Sequence, residues 1–353
     1  MTEHRHGGRV FDAARELGMP WNRILDFSAN INPSGQPKGL KAHLFANFPE
    51  TVHYPDVKAG SLVKAVADAT GLPAEAILPG AGSTPHIRMI ARILAPKRPV
   101  IIGPAFAEYE EALTAAGKKP AHVGAQEKNG FEVTLEEVRL AAKLKPDLIF
   151  LANPANPTGK LLPGPVLDAF LQHGNASGCW IVLDEAFIDF TEERSREGTA
   201  AVTERFLVLR SLTKIFAIPG LRLAYLVGHP ESVKPLADRL EPWPLNSMAL
   251  EAGLFCLSQK AFADASSAVT SKLRKLLQAA LSPYGKLVDS DANFILMDAG
   301  PKAEGIIARL YKKGILVRDA SNFRGLGPGW LRFAVRPAAE IKALSEALAS
   351  ENA

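Results

Sequence analysis

Short apolar runs alternate along the chain with stretches in which apolar residues recur every three or four positions. The runs predict strands, and the recurring spacing predicts helices. Before residue 230 the predicted strands are Ile77–Leu78, Val100–Ile102, Leu148–Leu151, Trp180–Leu183, Phe206–Leu209 and Leu223–Val227. Helical segments such as Pro85–Leu94 and Ala107–Ala116 lie between them. Apolar strands in alternation with helices are typical of an α/β fold built on a largely parallel sheet with both faces covered.

The pattern changes near Leu245, where the regular alternation stops. Two long helical patterns follow, and in the second of them apolar side chains recur at Phe262, Ala265, Val269, Leu273, Leu276 and Ala280. The remaining residues predict, in order, strand Phe294–Met297, helix Ala303–Tyr311, strand Ile315–Arg318, strand Trp330–Val335 and helix Pro337–Leu348. This order predicts a second, smaller α+β unit.

These changes divide the chain into three predicted parts. Residues 1–47 form an N-terminal segment that packs with the small domain, residues 48–245 form the large domain, and residues 246–353 form the small C-terminal domain. Pro242 and Pro244 flank Trp243 and discourage a helix from continuing there, so this segment is the predicted hinge.

Composition and charge exclude several classes of protein. The 353 residues include 41 Lys and Arg against 37 Asp and Glu, and a net charge of +4 is too small to indicate nucleic-acid binding. The two cysteines, Cys179 and Cys256, exclude a disulfide framework, and the histidines from His43 to His229 lack metal-ligand spacing, so no metal is expected. No apolar run is long enough to cross a bilayer, and the N-terminus lacks a signal-peptide core. We expect a cytoplasmic enzyme without a membrane or nucleic-acid partner.

Candidate functional residues follow the predicted strands, at the edge where open α/β sheets bind their ligands. Asn156 lies in the turn Asn153–Gly159, whose two prolines and glycine fix the backbone. Asp184 ends a very apolar strand, so its carboxylate needs a positively charged partner if it is to stay ionised. A plain turn and a helix-capping aspartate are the alternative interpretations of these two sites.

A lysine and a group of phosphate-binding side chains follow the next strand along the chain. Lys214 lies among hydroxyl residues and precedes an apolar run. Burial lowers the pKa of a lysine and leaves a nucleophilic amine, which Schiff-base chemistry requires. Ser211, Thr213 and Arg222 offer hydroxyls and a guanidinium that together suit a phosphate.

A glycine-rich turn opens a helix directly after another predicted strand. Gly82 and Ser83 stand at this helix start, where backbone N–H groups bind anions, although a plain strand-to-helix loop has the same composition. A buried lysine, an acid at a neighbouring strand end, a rigid asparagine and a phosphate cradle are together what pyridoxal 5′-phosphate (PLP) requires.

The chain resembles the aspartate aminotransferase superfamily, the fold type I PLP enzymes, over nearly its whole length. Within that superfamily it is most similar to the histidinol-phosphate aminotransferase-like branch. The motifs that carry the resemblance are His6-Gly7-Gly8, Asp26–Pro33, Tyr54-Pro55-Asp56, Asn153–Gly159, Asp184–Phe190, Ser211–Arg222, Trp243–Ser247 and Leu331–Arg336. The resemblance implies PLP as cofactor, a large domain with a mostly parallel seven-stranded sheet, and a small α+β domain.

The resemblance also implies roles for individual residues. Lys214 is the catalytic Schiff-base lysine, Asp184 pairs with the ring nitrogen and Asn156 bonds the ring oxygen. The other implied cofactor residues are Gly82, Ser83, Ser211, Thr213 and Arg222 at the phosphate, Phe106 on the ring face, Phe187 near the ring oxygen, and Tyr54, which reaches in from the partner subunit of a homodimer with shared sites. The implied substrate residues are His6, Gly7, Gly8, Asn32, Asn156, Arg318 and Arg332, with Asn32 and Arg332 on the α-carboxylate.

Phe187 and Phe106 bear on which activity the chain has. The aminotransferases usually have tyrosine at both positions, whereas phenylalanine is typical of a decarboxylase group within the branch. The resemblance implies decarboxylation of L-threonine O-3-phosphate to (R)-1-aminopropan-2-yl phosphate, a step of cobalamin biosynthesis. The alternatives are an aminotransferase for histidinol phosphate or an aromatic amino acid, in which the tyrosines were lost by neutral drift, and a non-catalytic regulator of the same fold.

Overall fold

The computed structural model describes residues 7–350 of the chain. Its strands are β1 (Leu25–Asp26), β2 (Ile77–Gly80), β3 (Pro99–Gly103), β4 (Ala121–Gly124), β5 (Leu148–Ala152), β6 (Trp180–Asp184), β7 (Phe206–Ser211), β8 (Ala224–Gly228), β9 (Lys286–Leu287), β10 (Phe294–Asp298), β11 (Ile315–Leu316), β12 (Arg318–Asp319) and β13 (Trp330–Ala334).

Helices connect or follow most of these strands. They are α1 (Val10–Leu17), α2 (Leu40–Asn47), α3 (Gly60–Thr70), α4 (Ser83–Ile93), α5 (Ala107–Ala115), α6 (Leu135–Lys143), α7 (Gly164–Ser177), α8 (Glu197–Val202), α9 (Leu212–Ile215), α10 (Pro230–Ala237), α11 (Ser247–Leu257), α12 (Lys260–Leu281), α13 (Ala303–Lys312) and α14 (Ala338–Ala349). Among the residues that the structure describes, no helix is long and apolar enough to cross a membrane.

A seven-stranded sheet in the order β2-β8-β7-β6-β5-β3-β4 forms the centre of the large unit. The strands from β7 to β4 in this order run parallel, and β8 is antiparallel to both of its neighbours. The predicted mostly parallel sheet is therefore confirmed. The apolar pattern alone missed β4, because only its third residue, Val123, is a buried apolar side chain.

Alternate residues of the central strands pack on opposite faces of the sheet, as the two-residue period of a strand requires. In β6, Ile181 and Leu183 face a core that includes residues of α3, α6, α7 and α11, whereas Val182 faces a core that includes residues of α4, α5 and α10. Both faces are covered, which explains why these strands read as continuous apolar runs. The carboxyl ends of the parallel strands stay free of this packing, at one edge of the sheet.

The small unit is built on a four-stranded antiparallel sheet in the order β12-β13-β10-β9. Helices α12, α13 and α14 contribute to its core, which also contains Phe27 from the N-terminal segment. The predicted strand Ile315–Arg318 is wrong as a single element. Its first half, β11, pairs in parallel with β1, and its second half, β12, pairs antiparallel with β13. The chain changes partner at Val317, which no local pattern signals.

The N-terminal segment packs with both units. Helix α1 and Ile24 lie against Leu316 and Tyr311 of the small unit. By contrast, Leu40 of α2 lies in the large core, together with Ala249 and Cys256 of α11. The large core thus extends past residue 245, and the division into 1–47, 48–245 and 246–353 stays a prediction.

The predicted apolar stripe of α12 is partly wrong. Val269 and Leu276 are 39% and 46% exposed. The buried residues of the helix are Ser266, Thr270, Leu277 and Leu281. The buried face starts with two hydroxyl residues, and Oγ1 of Thr270 has no hydrogen-bond partner within residues 7–350. Ser266 donates to the carbonyl oxygen of Phe262 (2.8 Å). A pattern of apolar residues alone does not detect such positions.

Candidate functional site

A cavity of about 1360 Å³ opens at the carboxyl ends of the parallel strands. The large unit contributes Asp184 and Lys214 to its wall, and the small unit contributes Arg318 and Arg332. Asp184 and Lys214 come from adjacent strands of the large sheet and meet because parallel strands end at one edge. Arg318 and Arg332 reach the cavity from β12 and β13 of the small antiparallel sheet. The predicted strand-end residues therefore share one cavity.

Lys214 lies on the short helix α9, directly after β7. Burial and the nearby guanidiniums of Arg222 and Arg332 together lower the pKa of its amine to about 8, and Asp184 opposes the shift. A larger fraction of this amine is neutral near physiological pH than for an exposed lysine. The position suits a nucleophile or a group that exchanges a proton.

Asp184 is the last residue of β6 and is 7% exposed. Its Oδ1 accepts a hydrogen bond from the backbone N–H of Ala186 (3.0 Å), and its Oδ2 accepts one from the hydroxyl of Tyr109 (2.7 Å). Burial raises the pKa of the carboxyl group, whereas these two donors and the charge of Lys214 lower it. The carboxylate is thus supported by donors on both oxygens.

A phosphate-sized cradle lies beside Lys214. The hydroxyls of Ser211 and Thr213 are 2.8 Å apart. Gly82 directly precedes α4 with a φ of +92°, and a Cβ there would lie 2.3 Å from Nη2 of Arg222. Only glycine leaves this approach free, so the arginine reaches the N-terminus of the helix. Ser83, the first residue of α4, also lines the cavity.

Two phenylalanines line the cavity near Asp184 and Lys214. Phe106 precedes α5 and lies edge-on to the ring of Tyr109, with 5.9 Å between the ring centroids. Phe187 lies edge-on to Phe294 at 5.1 Å. Neither side chain brings a hydroxyl to this wall of the cavity.

Arg332 joins the two units at the cavity. Its Nη1 donates to Oδ1 of Asn156, and its Nη2 donates to the carbonyl oxygen of Ser28 (2.9 Å). Burial and the charge of Arg318 lower the pKa of Arg332 to about 9, and Asp26 opposes that shift. Within residues 7–350, Nε of Arg332 has no hydrogen-bond partner. A buried guanidinium held by neutral groups is ready to bind an anion.

The N-terminal glycines lie at the same cavity. Gly7 lines it, and a Cβ at this position would lie 2.3 Å from the carbonyl oxygen of Ser28. The N–H of Gly8 donates to Oγ of Ser28 (2.8 Å). His6, the first residue of the motif His6-Gly7-Gly8, lies outside the described residues.

The side-chain amide of Asn32 hydrogen-bonds to other residues of the chain and does not line the cavity, which corrects its predicted place at the substrate. Its Nδ2 donates to the carbonyl oxygen of Ile215 (2.6 Å) and to Oγ of Ser266 (2.8 Å), and its Oδ1 accepts from the N–H of Ser34. Asn30 lines the cavity instead. Its Oδ1 is buried and has no partner among the described residues. The repeated asparagine in Asn30-Ile31-Asn32 was the available signal, but sequence alone did not separate the two.

Tyr54 was expected at the partner subunit's site and stays a prediction, whereas Tyr109 is an addition to the expected site. Tyr54 is 81% exposed and stacks on Trp243 at 4.6 Å, away from the lining of this chain's cavity. Tyr109, which the sequence did not single out, is 1% exposed and contacts Asp184. Its only signal is its place on the buried face of α5, which it shares with ordinary core residues.

The residues of the cavity fit PLP. The cradle at Gly82 and Arg222 suits a phosphate, and a Cβ would fill it. A buried lysine amine and a hydrogen-bonded carboxylate lie in the same cavity as this cradle. This donor set matches an aldehyde, a protonatable ring nitrogen and a phosphate on one ligand.

Comparison with known proteins agrees with this fit. The model of the aminotransferase class I and II family matches residues 22–349. The threonine-phosphate decarboxylase of Salmonella typhimurium is 36% identical, over 97% of this chain and 95% of that protein. Histidinol-phosphate aminotransferase 2 of Ralstonia nicotianae is 32% identical, over 98% and 95%.

A solved structure shows the same fold. The L-threonine-O-3-phosphate decarboxylase from Porphyromonas gingivalis superposes with a TM-score of 0.81 at 27% identity, over 92% of this chain and 98% of that one. The resemblance that the motifs indicated is thus confirmed at the level of the family. The chain belongs to the aminotransferase class I and II family.

Proposed function

We propose that the protein is a cytoplasmic, PLP-dependent decarboxylase that converts L-threonine O-3-phosphate to (R)-1-aminopropan-2-yl phosphate for cobalamin biosynthesis. The observation that carries the proposal is the pair of arginines, Arg318 and Arg332, that the small unit presents to the cavity of Lys214. Two guanidiniums suit a substrate with a carboxylate and a phosphate. The similarity to threonine-phosphate decarboxylases over nearly the whole chain supports the same substrate.

The cofactor supplies an electron sink for the bond that breaks at the substrate α-carbon. Lys214 would hold it covalently and Asp184 would pair with its ring nitrogen. The residues that would hold its phosphate are Gly82, Ser83, Ser211, Thr213 and Arg222. Phe106 and Phe187 would line the ring, and Asn156 would bond the ring oxygen.

The side chains around the substrate decide which bond at the α-carbon breaks. Arg332 is held by Asn156 and the Ser28 backbone, and it would bind the carboxylate and fix its direction. Arg318 lines the same wall, where its Nη2 donates to Oδ1 of Asn322 (2.8 Å), and it would bind the substrate phosphate. Binding the carboxylate and the phosphate of the substrate at two separate points would fix the orientation of the bonds at its α-carbon. Binding energy from the remote phosphate then orients the reacting end of the substrate.

Lys214 is the candidate donor of the proton that replaces the carboxylate on the α-carbon. Its pKa of about 8 lets the amine hold a proton at neutral pH and also release it. Phe187 and Phe106 form an apolar part of the cavity wall. An apolar surrounding favours the loss of carbon dioxide, because the negative charge of the carboxylate leaves that group. Carbon dioxide leaves with its two oxygens, and the α-carbon takes the proton.

The second candidate is an aminotransferase for histidinol phosphate or an aromatic amino acid, which the Ralstonia nicotianae relative favours. The two reactions share the proposed cofactor residues. Incubation of the holoenzyme with L-threonine O-3-phosphate, followed by product identification by NMR, separates them. Aminopropyl phosphate without an added keto acid supports the decarboxylase, and a product that appears only with a keto acid supports the aminotransferase.

We also propose a homodimer with shared active sites. A stretch of large exposed side chains in α2 and the segment after it includes Phe45 (69%), Phe48 (60%), Val52 (80%) and Tyr54 (81%). Exposed aromatic residues in one stretch are typical of an interface. A second copy on this face would bring Tyr54 to the phosphate of its neighbour's cofactor.

Complementation tests the shared site. In the proposed shared site, Tyr54→Phe alters the residue that one subunit contributes, and Lys214→Ala removes the lysine that the other contributes. Each variant alone is therefore expected to lose activity. A mixed dimer contains one site with both an intact Lys214 and an intact Tyr54. Co-refolded variants should therefore regain part of the wild-type activity. A monomer in sedimentation, or no recovery on mixing, contradicts the proposed dimer.

A further inference from the structure

The hydroxyl of Tyr109 donates to Oδ2 of Asp184 at 2.7 Å. Tyr109 is 1% exposed on α5. Its ring stacks on Phe150, with 5.1 Å between centroids and 2° between planes, and it meets Phe106 edge-on at 5.9 Å. Packing on both sides fixes the ring, so the hydroxyl has a defined position.

We propose that Tyr109 is a positioning residue for the reaction: its hydroxyl keeps Asp184 ionised and holds its carboxylate toward the cavity, where it can stabilise a positive charge on the ring nitrogen of PLP. The inference rests on the proposed PLP dependence and extends it to a residue behind the cofactor site. Tyr109 acts through Asp184 rather than by touching substrate.

The charge balance around Asp184 supports this role. Burial favours the neutral acid and raises the pKa of Asp184. The groups that oppose burial are the Tyr109 hydroxyl, the N–H of Ala186 and the charge of Lys214. The pKa of Tyr109 is itself raised, by burial and by Asp184, so the hydroxyl keeps its proton and remains a donor.

The geometry fixes the orientation as well as the charge. Oδ1 is held by Ala186, within the same loop, and Oδ2 is held by Tyr109 from α5. Two donors on different oxygens define the plane of the carboxylate. Tyr109 also supports Phe106, which lines the cavity. One side chain therefore supports both the acid and the aromatic ring that face the proposed cofactor.

Tyr109→Phe removes the hydroxyl and keeps the ring. A hydrogen bond to a charged group affects the ionisation constant by roughly tenfold to a hundredfold. Tyr225→Phe is the matched control, because the hydroxyl of Tyr225 donates to Oε2 of Glu197 (3.0 Å), and Tyr225 is 3% exposed outside the cavity lining. Both variants lose one buried tyrosine hydroxyl that donates to a carboxylate.

The readout is the nitrogen-15 chemical shift of the ring nitrogen in holoenzyme loaded with labelled PLP. Tyr109→Phe should move this shift toward the unprotonated value at the same pH, in the direction of Asp184→Asn. Wild type and Tyr225→Phe should both stay at the protonated value. An unmoved shift in Tyr109→Phe, or an equal movement in Tyr225→Phe, overturns the inference. Failure of the wild type to bind PLP overturns the proposed function instead.

A second measurement needs no cofactor. The free energy of unfolding of the cofactor-free protein should be lower in Tyr109→Phe than in wild type above the folded-state pKa of Asp184. This difference should disappear as the pH falls through that pKa, since a protonated acid no longer accepts a charge-assisted bond. A difference that does not change with pH would show that the hydroxyl does not respond to the charge of Asp184, which would overturn the inference.

Discussion

Arg332 on β13 donates a hydrogen bond to Asn156, 176 positions earlier in the chain, and so connects the small sheet to the turn that follows β5. The contact places a buried guanidinium from one unit over the residues of the other. Its remaining partners are neutral, and its Nε is unpaired within residues 7–350. Arg332 is therefore the strongest candidate for binding an anionic group of the substrate.

Arg332→Ala should weaken binding of substrates that carry an α-carboxylate more than binding of the decarboxylated product. A charge-assisted contact contributes about 1.5–3 kcal/mol, or roughly tenfold to a hundredfold in affinity. Titration calorimetry with both ligands measures the two losses. Arg336→Ala is the control, because Arg336 pairs with Glu340 and does not line the cavity. Equal losses for both ligands would assign Arg332 a structural role.

Gly82→Ala should weaken PLP binding by about tenfold or more. The new Cβ would lie 2.3 Å from Nη2 of Arg222, and a φ of +92° is strained for alanine, at a cost of about 1–3 kcal/mol. Equilibrium titration of the cofactor-free protein measures the change. Gly305→Ala in α13 is the control, since nothing lies within 4 Å of its Cβ. Equal PLP affinity in Gly82→Ala and wild type would contradict the cradle.

Cofactor uptake should follow the titration of Lys214. Its pKa of about 8 means that the amine is mostly protonated below that pH and mostly neutral above it. The rate of PLP incorporation into the cofactor-free protein should rise through about pH 8 and then level off. Stopped-flow absorbance measures the rate. A rate that keeps rising toward the ordinary lysine pKa near 10.5 would contradict the effect of burial and of the two arginines.

Phe187→Tyr should shift the pH titration of the bound cofactor's visible absorbance to lower pH. By the family resemblance, a hydroxyl at this position reaches the ring oxygen, and a donor there stabilises its deprotonated form. Decarboxylation should remain the main reaction, because in the proposed mechanism Arg332 and Arg318, and not residue 187, would orient the carboxylate. An unchanged titration would mean that residue 187 does not reach the ring oxygen.

Phe187→Leu offers a comparison for Phe187→Tyr. Phe187 lies edge-on to Phe294, so Phe187→Leu changes this contact without adding a donor. It should lower the melting temperature and leave the absorbance titration in place. A Phe187→Tyr enzyme that became mainly an aminotransferase would contradict the view that the substrate anions, and not this ring, select the reaction.

Much of the site could be predicted because it depends on where parallel strands end. Asp184 and Lys214 follow adjacent strands, so the α/β pattern alone brings them to one edge. Gly82 was only a weak candidate, because a glycine-rich turn between a strand and a helix is also typical of plain loops. The structure adds that a Cβ there would meet Arg222. Their roles toward PLP and substrate stay predictions.

Residues outside regular strands were harder to predict. The contacts that commit Asn32, to Ile215 and Ser266, lie 183 and 234 positions away, so no local pattern separates Asn32 from Asn30. Tyr109 meets Asp184 across 75 positions from a helix face that reads as core. The contact of Asn32 depends on how α12 packs against the N-terminal segment, and the contact of Tyr109 depends on how α5 packs on the large sheet. The apolar pattern encodes neither arrangement.

Release of carbon dioxide from carboxyl-labelled L-threonine O-3-phosphate tests the proposed reaction most directly. The PLP-loaded enzyme should release labelled carbon dioxide at the rate at which aminopropyl phosphate forms, without any keto acid, and Lys214→Ala should release none. Label that remains in a non-volatile product, with the amino group transferred to an added keto acid, would contradict decarboxylation and identify an aminotransferase.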